Sequence, residues 1–222
     1  ILTDLYDNVL DEVDSLVIPT DISYGRKPDG SDEWLFFQDP TPGETNNFSA
    51  GYELACQSPV FSLESGFYSS SIDVSIEVTE QEYPVFYTLD GSEPTTSSSL
   101  YNGSIDIYET AVLRASMLHP NCLFSEISTS TYFINEERNL PIISLTSDPY
   151  NLWDDDYGIY VMGPNASQDY PYFGANFWED WERPVYVEFF ETSGELGFSL
   201  DAGVKIFGGW SRGWPHKSLA IH

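Results

Sequence analysis

The sequence predicts a mainly β protein, made of β-sandwiches followed by the β-rich start of an α+β domain. Short apolar or alternating runs are separated by Pro, Gly, Asn and Asp clusters about every 8 to 12 residues, which is typical of sandwich strands. Hydrophobic residues make up 41% of the chain and aromatic residues 16%, enough to build folded cores. Helical periodicity is nearly absent, and the one short helix that we predict covers residues 148–153, where Asp148 and Pro149 supply a start signal.

The net charge of the chain restricts which kinds of molecule it can bind. With 36 acidic and 8 basic residues, the net charge is −28, which repels nucleic acid and anionic membranes. Cationic partners, divalent metals or a saline exterior suit such a surface better. No run of 18 or more apolar residues occurs, so we predict no membrane insertion. Both ends of the sequence resemble interrupted strands, which indicates a piece of a longer polypeptide.

The first segment, residues 1–47, contains two runs that predict strands. We expect residues 15–19 to pair with residues 33–37. Between them, a Pro-Asp-Gly sequence at residues 28–30 predicts a turn, because proline fixes φ at one corner and glycine supplies a positive φ at the next. Composition shifts near residues 41–47, which predicts the first domain boundary.

This first segment resembles the closing third of a lamin-tail domain. The residues that carry the resemblance are Asp14-Ser15, Ser23-Tyr24-Gly25-Arg26-Lys27-Pro28-Asp29-Gly30, Trp34, Thr41-Pro42-Gly43 and Asn46-Asn47. That family is an immunoglobulin-like sandwich, found in nuclear lamins and in many bacterial secreted proteins. The resemblance implies an accessory or adhesive role without catalysis for residues 1–47, and we interpret residues 48–58 as a linker.

The middle segment, residues 59–135, has the pattern of about seven short strands. Residues 73–78 alternate apolar and polar side chains as a strand buried on one face does, and residues 85–89 lead into the tight-turn dipeptide Asp90-Gly91. Residues 112–117 and 128–134 predict further strands. A second shift in composition near residues 135–139 predicts the next domain boundary.

The middle segment resembles the chitobiase/β-hexosaminidase C-terminal domain. The resemblance rests on Tyr87-Thr88-Leu89-Asp90-Gly91-Ser92-Glu93-Pro94-Thr95, preceded by Ser65-Gly66-Phe67-Tyr68 and followed by Leu100-Tyr101-Asn102-Gly103. It implies a fibronectin type III-like sandwich that accompanies secreted glycan-active and surface proteins without performing their chemistry. Exposed Tyr and Phe side chains in such a domain either bind carbohydrate or serve only packing and linkage, and both interpretations stay open.

The two cysteines of the chain flank this sandwich. In the implied sandwich, the start of the first strand and the loop between the last two strands lie at one pole, which would bring Cys56 near Cys122. We predict a disulfide between them, worth about 4 kcal/mol in the chain-entropy model, and hence an oxidising compartment. The alternative is two separate buried thiols.

The third segment, residues 140–222, opens with a buried strand at residues 140–146. The run Asp154, Asp155 and Asp156 is either a surface calcium site, because hard oxygen ligands suit that ion, or a solvated turn. An aromatic-rich core strand follows at residues 183–190. Its Arg183 is the one cation in residues 140–201, where we expect it in an internal ion pair.

The last 21 residues, 202–222, contain no acidic residue, although they carry Lys205, Arg212 and Lys217. Glycine-freed backbone amides together with cations are the usual components of a phosphate cradle. The alternative is a pair of half-buried strands joined by a glycine turn, with charges that merely face water.

The third segment resembles the N-terminal part of the spore-coat-protein-H (CotH) kinase family. The resemblance rests on Leu140-Pro141-Ile142-Ile143-Ser144, Asn151-Leu152-Trp153, Gly158-Ile159-Tyr160-Val161, Trp181-Glu182-Arg183-Pro184-Val185-Tyr186-Val187-Glu188-Phe189, Ala202-Gly203-Val204-Lys205-Ile206-Phe207-Gly208-Gly209-Trp210-Ser211-Arg212-Gly213 and Lys217-Ser218-Leu219. Members are atypical secreted or surface-exposed kinases that use ATP and Mg²⁺.

The CotH resemblance implies nucleotide binding by Lys217, Arg212, Ser211 and Gly213. Gly208-Gly209 stands where many relatives carry Arg-Gly, so one phosphate-facing charge is missing. The catalytic and metal-binding aspartates of the family lie downstream of residue 222, so the resemblance assigns no catalytic residue to this fragment and no activity to it alone.

Two functions therefore remain open. The chain is a catalytically incomplete fragment of an extracellular, bacterial CotH-type kinase with accessory sandwiches, or it belongs to a surface adhesin or glycan-associated protein in which all three modules are architectural. A third hypothesis, a glycosidase, rests on the glycan-active proteins in which sandwiches like the middle segment occur. The expected partners are other domains of its own longer chain, cell-surface or secretion components, or glycans.

Overall fold

The computed structural model describes residues 1–13, 15–19, 21–78, 83–123 and 125–222. Asp14, which belongs to the lamin-tail resemblance, lies outside them. The chain divides into two compact units, one made of Ile1–Cys56 with His119–Phe124 and the other of Gln57–Leu118 with Ser125–His222. The described residues are mainly β with almost no helix, as predicted. None of their helices is long and apolar enough to cross a membrane.

The strands are numbered along the chain. They are β1 (Leu2–Thr3), β2 (Val9–Asp11), β3 (Ser23–Arg26), β4 (Trp34–Phe37), β5 (Leu54–Ala55), β6 (Val60–Phe61), β7 (Gly66–Tyr68), β8 (Ile72–Val74), β9 (Ile76–Glu77), β10 (Val85–Thr88), β11 (Ser99–Leu100), β12 (Ile105–Ile107), β13 (Ala111–Met117), β14 (Cys122–Leu123), β15 (Ser128–Ile134), β16 (Ile142–Thr146), β17 (Arg183–Phe190), β18 (Leu196–Phe207) and β19 (Ser218–Ile221). The α-helix α1 spans Pro149–Trp153, and 3-10 helices span Asn46–Phe48, Asn176–Trp178 and Trp210–Gly213.

In the first unit, the strand predicted at residues 15–19 is wrong. Its expected partner β4 pairs instead with β3 in an antiparallel hairpin. The turn between β3 and β4 contains Gly30 at φ 74°, the positive φ that the sequence predicted. On its other edge, Phe36 of β4 exchanges backbone hydrogen bonds of 2.8 and 2.9 Å with Tyr52. Both edges of β4 are therefore used near its centre, which leaves no edge there for residues 15–19.

The predicted disulfide is confirmed, and the alternative of two separate thiols is wrong. Cys56 and Cys122 are bonded, with Cα atoms 5.8 Å apart, and both side chains are buried. Strand β14 pairs in parallel with β5, so Cys122 lies opposite Leu54. Covalent linkage and backbone pairing thus attach the loop at residues 119–123 to the chain around Cys56.

The second unit begins with the sandwich segment. Its larger sheet has the order β11-β10-β13-β15-β7, and β12 pairs with β8 while β6 pairs with β9. The inward side chains of these strands are fully buried, among them Val74, Leu113, Ala115, Met117 and Tyr132. The predicted turn at Asp90-Gly91 is present, with Gly91 at φ 81°.

The third segment contributes a four-stranded antiparallel sheet in chain order, β16-β17-β18-β19. Its core consists of Ile159, Ala175, Phe177, Val185, Val187, Val204 and Ile206. The predicted short helix is confirmed as α1. Asp148 caps it, since its carboxylate accepts a 2.8 Å hydrogen bond from the amide of Tyr150.

The sandwich and the four-stranded sheet share a packed joint within this second unit. Phe190 of β17 is fully buried, and its ring meets those of Phe133 and Phe67 edge-on at centroid distances of 5.3 and 5.8 Å. Beside it, the buried carboxylate of Glu188 accepts hydrogen bonds from the hydroxyl and the amide of Thr131. An apolar cluster and a buried polar contact therefore hold the same two strands, β15 and β17.

Removal of the disulfide should destabilise the first unit. The bond joins residues 66 positions apart, which corresponds to about 4 kcal/mol of loop entropy removed from the unfolded chain. We expect Cys56→Ser/Cys122→Ser to lower the free energy of unfolding by up to that amount. Urea unfolding monitored by tryptophan fluorescence measures it. Oxidised wild-type chain is the control, and an unchanged unfolding midpoint would contradict this role.

Loss of the Thr131 hydroxyl should destabilise the joint. Thr131→Val keeps the shape of the side chain but leaves a Glu188 carboxylate oxygen buried without its donor, which costs about 1–3 kcal/mol. Thr131→Ser retains the hydroxyl and is the matched control. Thermal unfolding of both variants separates the effects, and equal melting temperatures would show that the hydrogen bond carries no stability.

Candidate anion-binding site

The acid-free tail forms the edge of the four-stranded sheet. Strands β18 and β19 pair antiparallel, with Phe207 opposite Ser218, so the tail does contain the strand pair that one of the two sequence interpretations describes. The connection between them is a 3-10 helix, Trp210–Gly213, preceded by Gly208 at φ 121°. Ser211, Arg212 and Gly213 therefore lie on one turn, and Lys217 lies immediately before β19.

Arg212 connects this turn to the neighbouring 3-10 helix at Asn176–Trp178. Its Nε donates to the carbonyl oxygen of Gly208 at 2.8 Å, and its Nη1 donates to that of Trp178 at 3.2 Å. The guanidinium carbon lies 5.9 Å from the centre of a Trp178 ring. Part of the guanidinium is thus committed to holding the turn in place.

Lys217 lies over aromatic rings. Its Nζ is 4.0 Å from the ring centre of Phe177 and 5.2 Å from that of Tyr160, and it donates to the carbonyl oxygen of Trp214 at 2.8 Å. Burial lowers the pKa of the Lys217 ammonium, because removing water disfavours the charged form. A cation held over rings in this way interacts with their negative faces.

Neither Lys217 nor Arg212 has a carboxylate partner among the ion pairs of the described residues. Lys205 differs, since its Nζ lies 3.2 Å from a carboxylate oxygen of Asp180. Among the described residues, Arg212 and Lys217 are therefore compensated by carbonyl dipoles and ring faces. An anion that approached them would meet no competing carboxylate in an ion pair.

The glycine of the predicted set has a packing role. A Cβ atom on Gly213 would lie 3.0 Å from the ring of Tyr170 and 3.1 Å from the carbonyl oxygen of Pro171, so the turn packs closely there. The amides of Arg212 and Trp214, next to Ser211 and Gly213, donate within the turn at 3.0 Å, to Gly209 and Ser211. The Ser211 hydroxyl remains the polar side chain that this turn offers to a ligand.

The aspartate run forms a turn. The carboxylate of Asp154 accepts hydrogen bonds from the amides of Asp156 and Tyr157 at 3.0 and 2.9 Å. Within the described ranges, no group of three His, Cys, Asp or Glu side chains is placed to hold a metal ion. Calcium binding by Asp154, Asp155 and Asp156 stays a prediction.

The ion pair expected for Arg183 is wrong. The buried guanidinium donates to the carbonyl oxygen of Tyr157 from Nη2 at 2.6 Å and from Nε at 3.2 Å. It also lies 3.6 Å from the Tyr157 ring centre and 5.0 Å from that of Trp181. Its Nη1 donates to the carbonyl oxygen of Glu182 at 3.1 Å, so two carbonyls and two ring faces replace the carboxylate that the acidic composition led us to expect.

Sequence reasoning missed the aromatic surroundings of the site. Tyr160 fixes the entry to β19, because its hydroxyl accepts a 3.0 Å hydrogen bond from the amide of Lys217. Trp210 and Trp214, by contrast, are mostly exposed. The spacing Gly-Trp-Ser-Arg-Gly-Trp, in which two tryptophans flank a basic turn, was the signal available in the sequence.

Comparison with known proteins supports one of the three resemblances. Residues 63–129 match the family model described as chitobiase/beta-hexosaminidase C-terminal domain, within the predicted segment 59–135. Searches of curated proteins and of solved structures found no match to the chain. The lamin-tail and CotH resemblances receive no support and stay predictions. A β-sandwich of the matched family is compatible with an accessory or structural module.

The pH dependence of amine labelling should reveal the environment of Lys217. Because burial lowers its pKa, the neutral amine becomes populated at lower pH than in a solvated lysine, whose usual pKa is 10.5. We expect the labelling rate of Lys217, measured by mass spectrometry across pH, to titrate below 10.5 in the folded chain. The urea-unfolded chain is the control, and identical titrations in both states would contradict the burial.

Proposed function

We propose that this chain is the accessory and nucleotide-facing part of a secreted or cell-surface protein of the CotH kinase type. The observation that carries the proposal is that Arg212, on the turn between β18 and β19, and Lys217, immediately before β19, form no ion pair with a carboxylate among the described residues of a chain of net charge −28. Nucleotide phosphates are the ligand class that such a pair suits, since phosphoryl-transfer proteins place cations over the triphosphate.

Each residue of the site has a distinct task in this proposal. The Lys217 ammonium pairs with a phosphate oxygen, and the anion offsets the desolvation of the charged form. Arg212 contributes its charge and the guanidinium N–H groups that do not already donate to the carbonyl oxygens of Gly208 and Trp178. Ser211 adds a hydroxyl. ATP with Mg²⁺ is the expected ligand of the intact domain, and we assign no Mg²⁺ ligand and no catalytic group to residues of this chain.

The sandwich segment has a presenting role in the same proposal. Phe67 and Phe133 of the sandwich pack against Phe190 of the sheet, so the sandwich holds the sheet that carries the turn Trp210–Gly213, which we call the basic turn. A disulfide is typical of oxidising compartments, which supports an extracellular location.

A second candidate is a surface adhesin or glycan-associated protein in which every module is architectural. The packed joint between β15 and β17 favours this candidate, because a purely structural stretch requires rigid packing between its segments. It does not require a ligand. The two candidates differ in one measurable property, the binding of phosphates at Lys217.

Calorimetric titration with tripolyphosphate and with ATP tests the proposal. We expect binding by the wild-type chain and a loss of at least about tenfold in affinity for Lys217→Met, since a charge-assisted contact of 1.5 kcal/mol or more disappears. Lys205→Met removes an equal charge that Asp180 already pairs, and it should bind as the wild type does. Bound tripolyphosphate should also raise the labelling pKa of Lys217.

The kinase-type proposal fails if neither phosphate binds or if Lys217→Met and Lys205→Met weaken binding equally. Absence of binding would leave the architectural candidate. Incubation with ATP and Mg²⁺ should give no phosphorylated product from this chain alone, and detectable autophosphorylation would show that it holds catalytic groups that we have not assigned.

A further inference from the structure

Three of the six tryptophans are more than half exposed: Trp153 at 57%, Trp210 at 64% and Trp214 at 58%. All three adjoin the basic turn. Trp210 and Trp214 lie on or next to it, and Trp153 packs on Tyr160 at a ring distance of 5.1 Å, beside Lys217. Together with Tyr170 they form what we call the aromatic surface. Tryptophan is normally highly buried in folded proteins, so this clustering needs an explanation.

The aromatic surface is held in place by polar contacts. The indole Nε1 of Trp214 donates to the hydroxyl of Tyr170 at 3.1 Å, and that hydroxyl donates to the carbonyl oxygen of Trp210 at 3.0 Å. The ring centres of Tyr170 and Trp210 are 6.0 Å apart. Because the indole N–H of Trp214 and the hydroxyl of Tyr170 are already hydrogen-bonded, these two rings are held in place before a ligand arrives and offer it mainly their faces.

The charge around the aromatic surface selects the ligand. Arg212 lies on the turn between the two tryptophans, and Lys217 lies over Tyr160, the ring on which Trp153 packs. Neither cation forms an ion pair among the described residues, whereas Lys205 is already paired with Asp180. At physiological ionic strength a charge acts over about 8 Å, so both cations are close enough to act on a ligand that contacts these rings. Charge complementarity therefore favours an anionic ligand on this surface.

We propose that the aromatic surface, with Arg212 and Lys217, binds an acidic polysaccharide of the uronic-acid type. The apolar face of each pyranose ring stacks on an exposed aromatic ring, and the carboxylate of the sugar pairs with Lys217 or Arg212. A nucleic-acid duplex fits less well, because it carries one phosphate per about 1.7 Å and two cations would neutralise only a small part of so dense a charge. This site is distinct in ligand class from the nucleotide site, although the two share cations.

Binding of the purified chain to polygalacturonate, followed by tryptophan fluorescence and affinity electrophoresis, tests the proposal. We expect saturable binding that weakens as salt is raised, and a loss of about tenfold or more in Trp210→Ala/Trp214→Ala. Tyr108→Ala is the matched control, because Tyr108 is 72% exposed but lies on the sandwich segment. It should bind polygalacturonate as the wild type does, with all variants checked for unchanged thermal unfolding.

Two comparisons separate this inference from the nucleotide proposal. Trp210→Ala/Trp214→Ala should weaken polygalacturonate binding by a larger factor than tripolyphosphate binding, because the variant removes the stacking rings and keeps the Trp214 carbonyl that holds Lys217. If tripolyphosphate does not bind but polygalacturonate does, the nucleotide proposal fails and the glycan proposal stands.

Several results would overturn the glycan proposal. Uncharged dextran binding as tightly as polygalacturonate would remove the role of the cations. Stronger binding of poly(dT) would identify a single-stranded nucleic-acid surface instead. Concentration-dependent self-association that buries the tryptophans, with no binding of polygalacturonate, would show that a second copy of the chain covers the aromatic surface.

Discussion

The packing of Phe190 against Phe67 and Phe133 is the contact on which the second unit depends. Phe190 ends strand β17, which also supplies Val185 and Val187 to the core of the sheet. One strand therefore faces two apolar clusters, and its position determines where β18 and the basic turn beyond it lie. The buried Glu188 makes this joint more specific, because a buried carboxylate without hydrogen-bond donors is costly and Thr131 supplies two donors to it.

The cations of this acidic protein are compensated mainly by the backbone. Of the eight Lys and Arg residues, all but Lys205 donate a hydrogen bond to a main-chain carbonyl, and several also lie over an aromatic ring. Ion pairs involve only Arg26 and Lys205 among the described residues. A carboxylate loses its favourable hydration when it is buried, so most carboxylates stay in water. A long cationic side chain can instead bury its apolar stem and donate to a backbone carbonyl of a neighbouring element. Composition alone therefore misleads about where the partners of each cation lie, as it did for Arg183.

The sequence predicted those parts of the fold that rest on local stereochemistry. The cap at Asp148, the positive φ of Gly30 and Gly91, and the β character of the chain each follow from one or a few neighbouring residues. The strand expected at residues 15–19 failed for a different reason. Pairing depends on which edge of β4 is free, and that edge is taken by Tyr52, whose approach no local pattern indicates. The disulfide was predictable only because a resemblance supplied the topology that brings Cys56 to Cys122.

For the candidate site, the sequence by itself determined that an acid-free, basic and glycine-rich stretch lies among tryptophans. Only the tertiary structure decided which of those charges are free of carboxylates and which rings are exposed. Lys205 and Lys217 look alike in the sequence, yet one meets Asp180 and the other meets Phe177. The reason is that residues far apart along the chain supply these partners, so their identity is a property of how β18, β19 and the helix at Asn176–Trp178 pack, and not of the tail alone.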